Sequence, residues 1–159
     1  MRLSIDHGSL YYERLGSGPP MLLMHGGLGL DHTTLRPWLD PLADSLELVY
    51  YDHLANGRSE FTGDVGELTH ELWVETADRL RDHLGHDRIL LFGHSYGAFL
   101  ALEYALRHGD RLLGLVLSDV APTLDYPDAM MANARRQADG EETLQAVAEA
   151  LSGPVNSDQ

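Results

Sequence analysis

Four short apolar runs constrain the fold of this chain more than any other feature: "PMLLM" at 20–24, "LELVYY" at 46–51, "RILLFG" at 88–93 and "RLLGLVLS" at 111–118. Such runs suit strands buried on both faces, the pattern of a parallel sheet covered on each side. Helix-length segments separate the later ones. "LTHELWVETADRLRDHLG" repeats Leu68, Leu72, Ala77, Leu80 and Leu84 near helical spacing, with Gly85 to close it. "YGAFLALEYALRHG" reads as a second helix ending at Gly109. Strands alternating with helices predict βαβ units, hence an α/β fold with a mostly parallel sheet and helices on both faces.

The N-terminal "LSIDHGSLYYERLGSGPP" predicts two short strands around a His7-Gly8-Ser9 turn. "TTLRPWLDPLADS" carries Leu35, Leu39 and Leu42 at helical spacing, with Pro37 in its first turn and Pro41 to end or kink it. From Ala121 the pattern changes to helix-forming material without a strand, and "SGPVNSDQ" reads as a frayed tail. The expected organisation is therefore a core over 1–120 and a separate segment over 121–159.

The 159 residues are enough for one domain with a sizeable core. Cysteine is absent, which excludes disulfides, thiolate metal sites and a cysteine nucleophile. A formal charge of −14 argues against nucleic acid and anionic membranes as partners. No apolar run approaches the roughly 18 residues of a membrane span. "MRLSIDHGSL" lacks the apolar stretch of a secretory signal, so the expected location is cytoplasmic.

The chemistry-bearing motif is Gly93-His94-Ser95-Tyr96-Gly97. It follows an apolar strand and opens a helix, the context of a G-x-S-x-G nucleophile elbow, where small residues let the chain turn sharply and lift the serine above the sheet. The competing reading, a glycine-rich turn with a capping serine, does not require that context. The helix N-terminus offers N–H groups and partial positive charge to an oxyanion. "MHGGLG" at 24–29 ends another buried strand, and its glycines permit close approach to a bound oxygen. The backbone N–H groups of Gly27 and Tyr96 are the expected oxyanion donors. A phosphate loop is disfavoured, since neither G-x-G-x-x-G nor Gly-Lys-Ser/Thr is present.

With "HGGLG", "YYDHLANGRSE" and "FGHSYGAFLALEYALRHGDRLLGLVLSDVAP" in this order, the chain resembles the α/β-hydrolase fold superfamily, in its proline iminopeptidase and esterase branch, over about residues 1–122. The resemblance implies about six of the eight core strands, with a helical cap beginning near Ala121. The middle block departs from the family's Asp-x-Arg-Gly-x-Gly-x-Ser. Leu54 and Ala55 stand where Arg and Gly are usual, which predicts a missing arginine–carboxylate contact and a strained turn at Ala55.

A serine needs a base, and the family order is Ser, then acid, then His. His108 is the one histidine after Ser95, but it lies along the same helix, roughly 20 Å away, and suits the helix C-terminus. His7, His70, His83 and His86 read as surface residues, and His94 as a ring turned away from the serine. His25, His53 and His32 follow strand ends; in the family's sheet order His25 is one strand from Ser95 and His53 two. His25 is the nearest candidate base, but the resemblance assigns that histidine to ordering its own loop. Asp119, ending the strand next to the elbow, is a possible acid, with a loop-capping role as the competing reading. The base is expected outside this sequence, which resembles the first half of a longer enzyme.

The resulting expectation is a serine hydrolase cleaving an ester, amide or lactone (a small molecule or a short peptide) through an acyl-enzyme, without metal or organic cofactor. Glu141 and Glu142 lie where an iminopeptidase cap would receive a substrate amine. The alternative is a non-catalytic module binding a small molecule or a partner. The strand 112–118 carries no Lys, Glu or Pro, so it is expected to pair either with a C-terminal half or with a second copy.

Overall fold

The computed structural model describes residues 1–6, 8–120 and Ala132. The chain divides into two compact units, Met1–Val120 and Ala121–Gln159. The expected cap helices, Glu141, Glu142, the tail and His7 lie outside the described residues.

The first unit contains β1 (Arg2–Ile5), β2 (Gly8–Gly16), β3 (Pro20–Met24), β4 (Glu47–Tyr51), the two-residue β5 (Glu60–Phe61), α1 (His70–His83), β6 (Ile89–His94), α2 (Tyr96–His108) and β7 (Leu112–Ser118). The sheet order is β1-β2-β4-β3-β6-β7, with β5 on β2. The four predicted apolar strands, β4, β3, β6 and β7, run parallel, while the N-terminal hairpin joins antiparallel to β4. Strand alternation splits the core in two. Leu22, Met24, Val49, Tyr51 and Leu91 face one side, packed with Trp73, Val74, Leu80, Leu100 and Tyr104 of α1 and α2. Met21, Leu23, Leu48 and Tyr50 face the other, packed with Leu35.

Three local expectations change. The segment 32–44 is two 3-10 turns, His32–Leu35 and Asp40–Asp44, instead of an α-helix. The cause is proline. Arg36 precedes Pro37 and is extended at φ −106°, ψ 148°, which interrupts the helical path. Pro41 then occupies the start of the second turn, where its missing N–H costs nothing. In α1, Trp73, Val74, Ala77 and Leu80 are buried, while Leu72 and the flanking Leu68 and Leu84 are half-buried; the core-facing stripe is turned toward the aromatic and β-branched residues. β7 is not buried on both faces. Leu113, Val116 and Leu117 are exposed, because β7 ends the described sheet. Gly85 closes α1 at φ 75°, as its position predicted. No described helix is long and apolar enough to cross a membrane.

Asp78 ties the unit together at the end opposite the elbow. Its carboxylate accepts from Arg81 at 2.8 Å, from Tyr104 at 2.8 Å and from Arg111, linking α1, α2 and the approach to β7. Burial pushes its pKa up, but these three donors outweigh burial and hold it at about 2. The stability it contributes is present above the ordinary carboxylate value of 3.8 and is lost as pH falls toward 2. A carboxylate held that low contributes about 2 kcal/mol at neutral pH. Asp78→Asn is expected to lower neutral-pH stability by at least that much, since two arginines lose their counter-charge. It is also expected to flatten the acid limb of the profile below pH 4, measured by denaturant unfolding across pH.

Candidate active site

Ser95 sits between β6 and α2 at φ 52°, ψ −118°, a backbone state that L-residues adopt only when the fold enforces it. Its N–H donates to the Ser118 carbonyl at 2.9 Å, and its carbonyl accepts from Ala98 N–H at 3.0 Å. Both flanking glycines are required sterically. A Cβ on Gly93 would lie 2.6 Å from Ala98 Cα and from the Gly97 carbonyl oxygen. A Cβ on Gly97 would lie 2.4 Å from the carbonyl oxygens of Met24 and His25. The start of α2 is thereby pressed against the end of β3. Gly26 makes the reciprocal approach: a Cβ there would lie 3.0 Å from Ser95 Cβ. Gly27 follows at φ 68°. The elbow and the glycine loop after β3, widely separated in sequence, therefore meet. Tyr96 opens α2, where the first N–H groups have no intrahelical acceptor.

Asp52, which sequence reasoning passed over, holds this loop in place. Fully buried after β4, its Oδ1 accepts from His32 N–H at 2.9 Å and from His32 Nδ1 at 2.6 Å, and its Oδ2 accepts from Arg58 N–H at 2.8 Å. Burial raises its pKa, but these donors carry it below the ordinary carboxylate value. Asn56 adds a contact, its Oδ1 accepting from Gly29 N–H at 2.6 Å. The signal for Asp52 lay in its position directly after an apolar strand in the second family block. Leu54, standing where the family has arginine, is buried in the apolar core, and its carbonyl accepts from Trp73 Nε1 at 2.8 Å. Ala55 is at φ 64° and exposed, the strain predicted for a residue replacing glycine.

Each described histidine contacts a group other than Ser95, although the buried Nδ1 of His53, Nδ1 of His94 and Nε2 of His86 make no hydrogen bond to another described group. His25 Nδ1 donates to the Gly26 carbonyl at 3.0 Å and its Nε2 accepts from His53 N–H at 3.1 Å, so both ring nitrogens are occupied. His53 Nε2 donates to the His25 carbonyl at 3.0 Å. Burial lowers the pKa of His25; burial and the neighbouring His25 bring that of His53 to about 3. His94 Nε2 meets Asp119 Oδ2 at 3.1 Å. His70 contacts Tyr96 OH at 2.7 Å, and His83 contacts Tyr12 OH at 3.4 Å. His108, at the end of α2, contacts Glu75 at 3.0 Å. His86, expected on the surface, is half-buried against Glu47 at 3.4 Å. Asp119 is exposed at φ 54° and also accepts from Ser118 Oγ at 3.2 Å.

A cavity of about 250 Å³ opens at the C-terminal ends of β6 and β7, with Leu35, Trp38 and Phe92 on its apolar wall and His94 and Asp119 at its polar end. A larger one of about 530 Å³ surrounds Asp78, Arg81 and Arg111 at the other end of the unit, away from the elbow. Asp31, His32 and Asp52 bring ligand-type atoms within 4.8 Å of one another, but His32 and Asp52 bond each other through the facing atoms.

The family model described as alpha/beta hydrolase fold matches residues 19–154. The chain belongs to that family. This hydrolase-fold chain is similar to the proline iminopeptidase of Saccharolobus solfataricus, with 34% identity over 116 residues, 72% of this chain and 37% of the relative. It is similar to that of Lactobacillus helveticus at 37% over 115 residues, 68% of this chain and 39% of the relative. Among solved structures, the proline iminopeptidase-related protein of Thermus thermophilus superposes with a TM-score of 0.74 at 30% identity, over 94% of this chain and 55% of that one. A thermophilic esterase from Thermogutta terrifontis gives 0.71 at 32%, over 86% of this chain and 51% of that one. The hydrolase-fold chain thus spans under two-fifths of the length of these curated relatives and about half of these solved ones.

Two outcomes follow from the loop geometry. Ala55→Gly is expected to stabilise the unit by about 1 kcal/mol, because glycine adopts positive φ without the steric cost borne by alanine; thermal unfolding measures it. His53 is expected to stay neutral throughout pH 5–8, giving no titrating imidazole shift in NMR spectra, since its pKa lies at about 3.

Proposed function

We propose that Ser95 is the nucleophile of a serine hydrolase that cleaves an ester, amide or lactone through an acyl-enzyme. The observation that carries this reading is the strained backbone of Ser95 at φ 52°, on a strand-to-helix turn whose glycines admit no side chain. Such strain persists where surrounding structure enforces it, and it clusters at functional sites. Ser95 Oγ attacks the substrate carbonyl carbon, its proton passes to a base, and the leaving group departs with a proton returned by that base. The N–H groups of Gly27 and Tyr96 stabilise the oxyanion formed at the carbonyl oxygen. The contact of Gly26 with Ser95 supports this pairing, because it brings the glycine loop to the elbow.

All nine histidines lie at or before position 108, and each described one meets a group other than Ser95 through at least one ring nitrogen. We therefore assign the base to polypeptide outside this sequence, in keeping with a chain that spans about half the length of its solved relatives. Asp119 is the candidate acid. Its carboxylate already contacts one imidazole, that of His94, which is the contact an acid makes to a catalytic histidine. The activities in the relatives' names, proline iminopeptidase and esterase, are the classes to test first.

A fluorophosphonate probe, which reacts with activated serines, tests the reading by intact mass and peptide mapping. The 159-residue chain alone is expected to label slowly at Ser95, and Ser95→Ala to abolish labelling. Its turnover of an activated ester is expected not to exceed the ~10³–10⁴-fold over water that binding and an oxyanion hole provide without the base. Absence of labelling at Ser95 both in this chain alone and after addition of the C-terminal polypeptide of its parent, with specific small-molecule binding retained, would assign the chain to a non-catalytic binding module instead.

A further inference from the structure

We infer that Glu13, on β2 and three strands from the elbow strand β6 in the sheet order, is a positioning residue for the glycine loop after β3, acting through His32 and Arg58 on Asp52. The inference rests on the proposed function only in taking that loop as an oxyanion donor.

Asp52 and Glu13 grip the same two residues from opposite ends. Asp52 accepts from the backbone N–H groups of His32 and Arg58 and from His32 Nδ1. Glu13 Oε1 meets the far ends of both side chains, 3.7 Å from His32 Nε2 and 3.4 Å from Arg58 Nη1. Its Oε2 accepts from Arg36 Nη1 at 2.7 Å. Arg36 ends the 3-10 turn that His32 opens, so Glu13 touches that turn at both ends. Tyr11 closes the cluster. Its hydroxyl donates to Glu13 Oε1 at 2.5 Å and accepts from Arg58 Nη1 at 2.8 Å, and the Arg58 guanidinium lies 4.8 Å over its ring.

The β2–β4 ladder fixes the two carboxylates relative to each other. Glu13 stands opposite Tyr50, and the Asp52 N–H donates to the Tyr11 carbonyl at 3.0 Å. Asp52 is fully buried, so any donor that drifts away leaves it to bear the cost of desolvation. Its donors sit on two loops, which a single carboxylate leaves free to pivot about it. Glu13 removes that freedom by tying the outer ends of His32 and Arg58 back to the sheet. Donation from Tyr11, partly offset by burial and reinforced by Arg36 and Arg58, holds the Glu13 carboxyl below its ordinary range, so it is charged at neutral pH. Its bonds to the two arginines are therefore charge-assisted. The glycine loop is joined to the 52–58 loop at two points, His32 to Asp52 and Gly29 to Asn56. Releasing Glu13 therefore loosens the loop that carries Gly26 and Gly27, and an oxyanion donor works only while it is held in place.

Hydrogen exchange of the 159-residue chain reads this role at the Gly29, His32 and Arg58 amides, which donate to Asn56 and Asp52. Glu13→Gln keeps the length of the side chain and removes its charge. It is expected to speed exchange at those three amides about tenfold, while the β3 and β6 amides change less than about twofold. Fluorophosphonate labelling of Ser95 is expected to lose about tenfold in maximal rate with the apparent probe affinity unchanged. Should Glu13→Gln speed exchange in the strands as well, Tyr11→Phe decides. It frees the same carboxylate and keeps the ring under Arg58, and the three amides are again expected to accelerate without the strands. Unchanged exchange at Gly29 and His32 in the variant that keeps its strands protected overturns the inference. So does acceleration at Arg58 alone, which marks Glu13 as a surface ion-pair partner, or a labelling loss confined to probe affinity. A wild-type chain that does not label at Ser95 counts against the nucleophile instead, and the exchange pattern still decides the role of Glu13.

Discussion

The close approach of Gly97 to the end of β3 is the contact on which the rest of the site depends. With a Cβ position only 2.4 Å from two carbonyl oxygens, no other residue allows α2 to begin where it does. That contact fixes the start of the helix, hence the sharpness of the turn before it, hence the φ of 52° at Ser95. It also fixes the loop after β3 against the elbow, so Gly26 stands beside the serine. Strain at one residue is sustained by packing at three glycines.

Around this contact, buried polar groups do what apolar packing cannot. A loop cannot be held in one conformation by hydrophobic burial alone, because burial is non-directional. Asp52 receives three donors from two loops and so specifies their mutual position. His25 and His53 bond each other's backbones, and burial keeps His53 uncharged. These histidines order the glycine loop, as the resemblance implied for His25. At the far end, Asp78 joins both helices to the approach to β7 in the same manner.

The parallel sheet, both α-helices and the elbow are legible in the sequence because each rests on local signals: continuous apolar runs, a 3.6-residue repeat, and glycines two positions either side of a serine. In the segment 32–44 the leucine spacing points to a helix, but the two prolines override it. The apolar run of β7 points to burial on both faces, but a strand's own residues do not tell whether a neighbour covers it. Asp52 escapes sequence reasoning because its role exists only once His32 and Arg58, distant in sequence, are brought to it.

The sequence by itself determined the fold class, the order of its elements and the position of the serine between strand and helix, since these follow from periodicity and from where glycine is tolerated. Tertiary structure alone decided which side chains meet. It committed His25 and His53 to loop bonds, drew His94 to Asp119, placed Leu54 in the core where the family pattern carries arginine, and left β7 at the margin of the described sheet. The physical reason is range: backbone preferences act over a few residues, whereas hydrogen-bond partners and strand neighbours are chosen across the whole chain as the sheet closes its core.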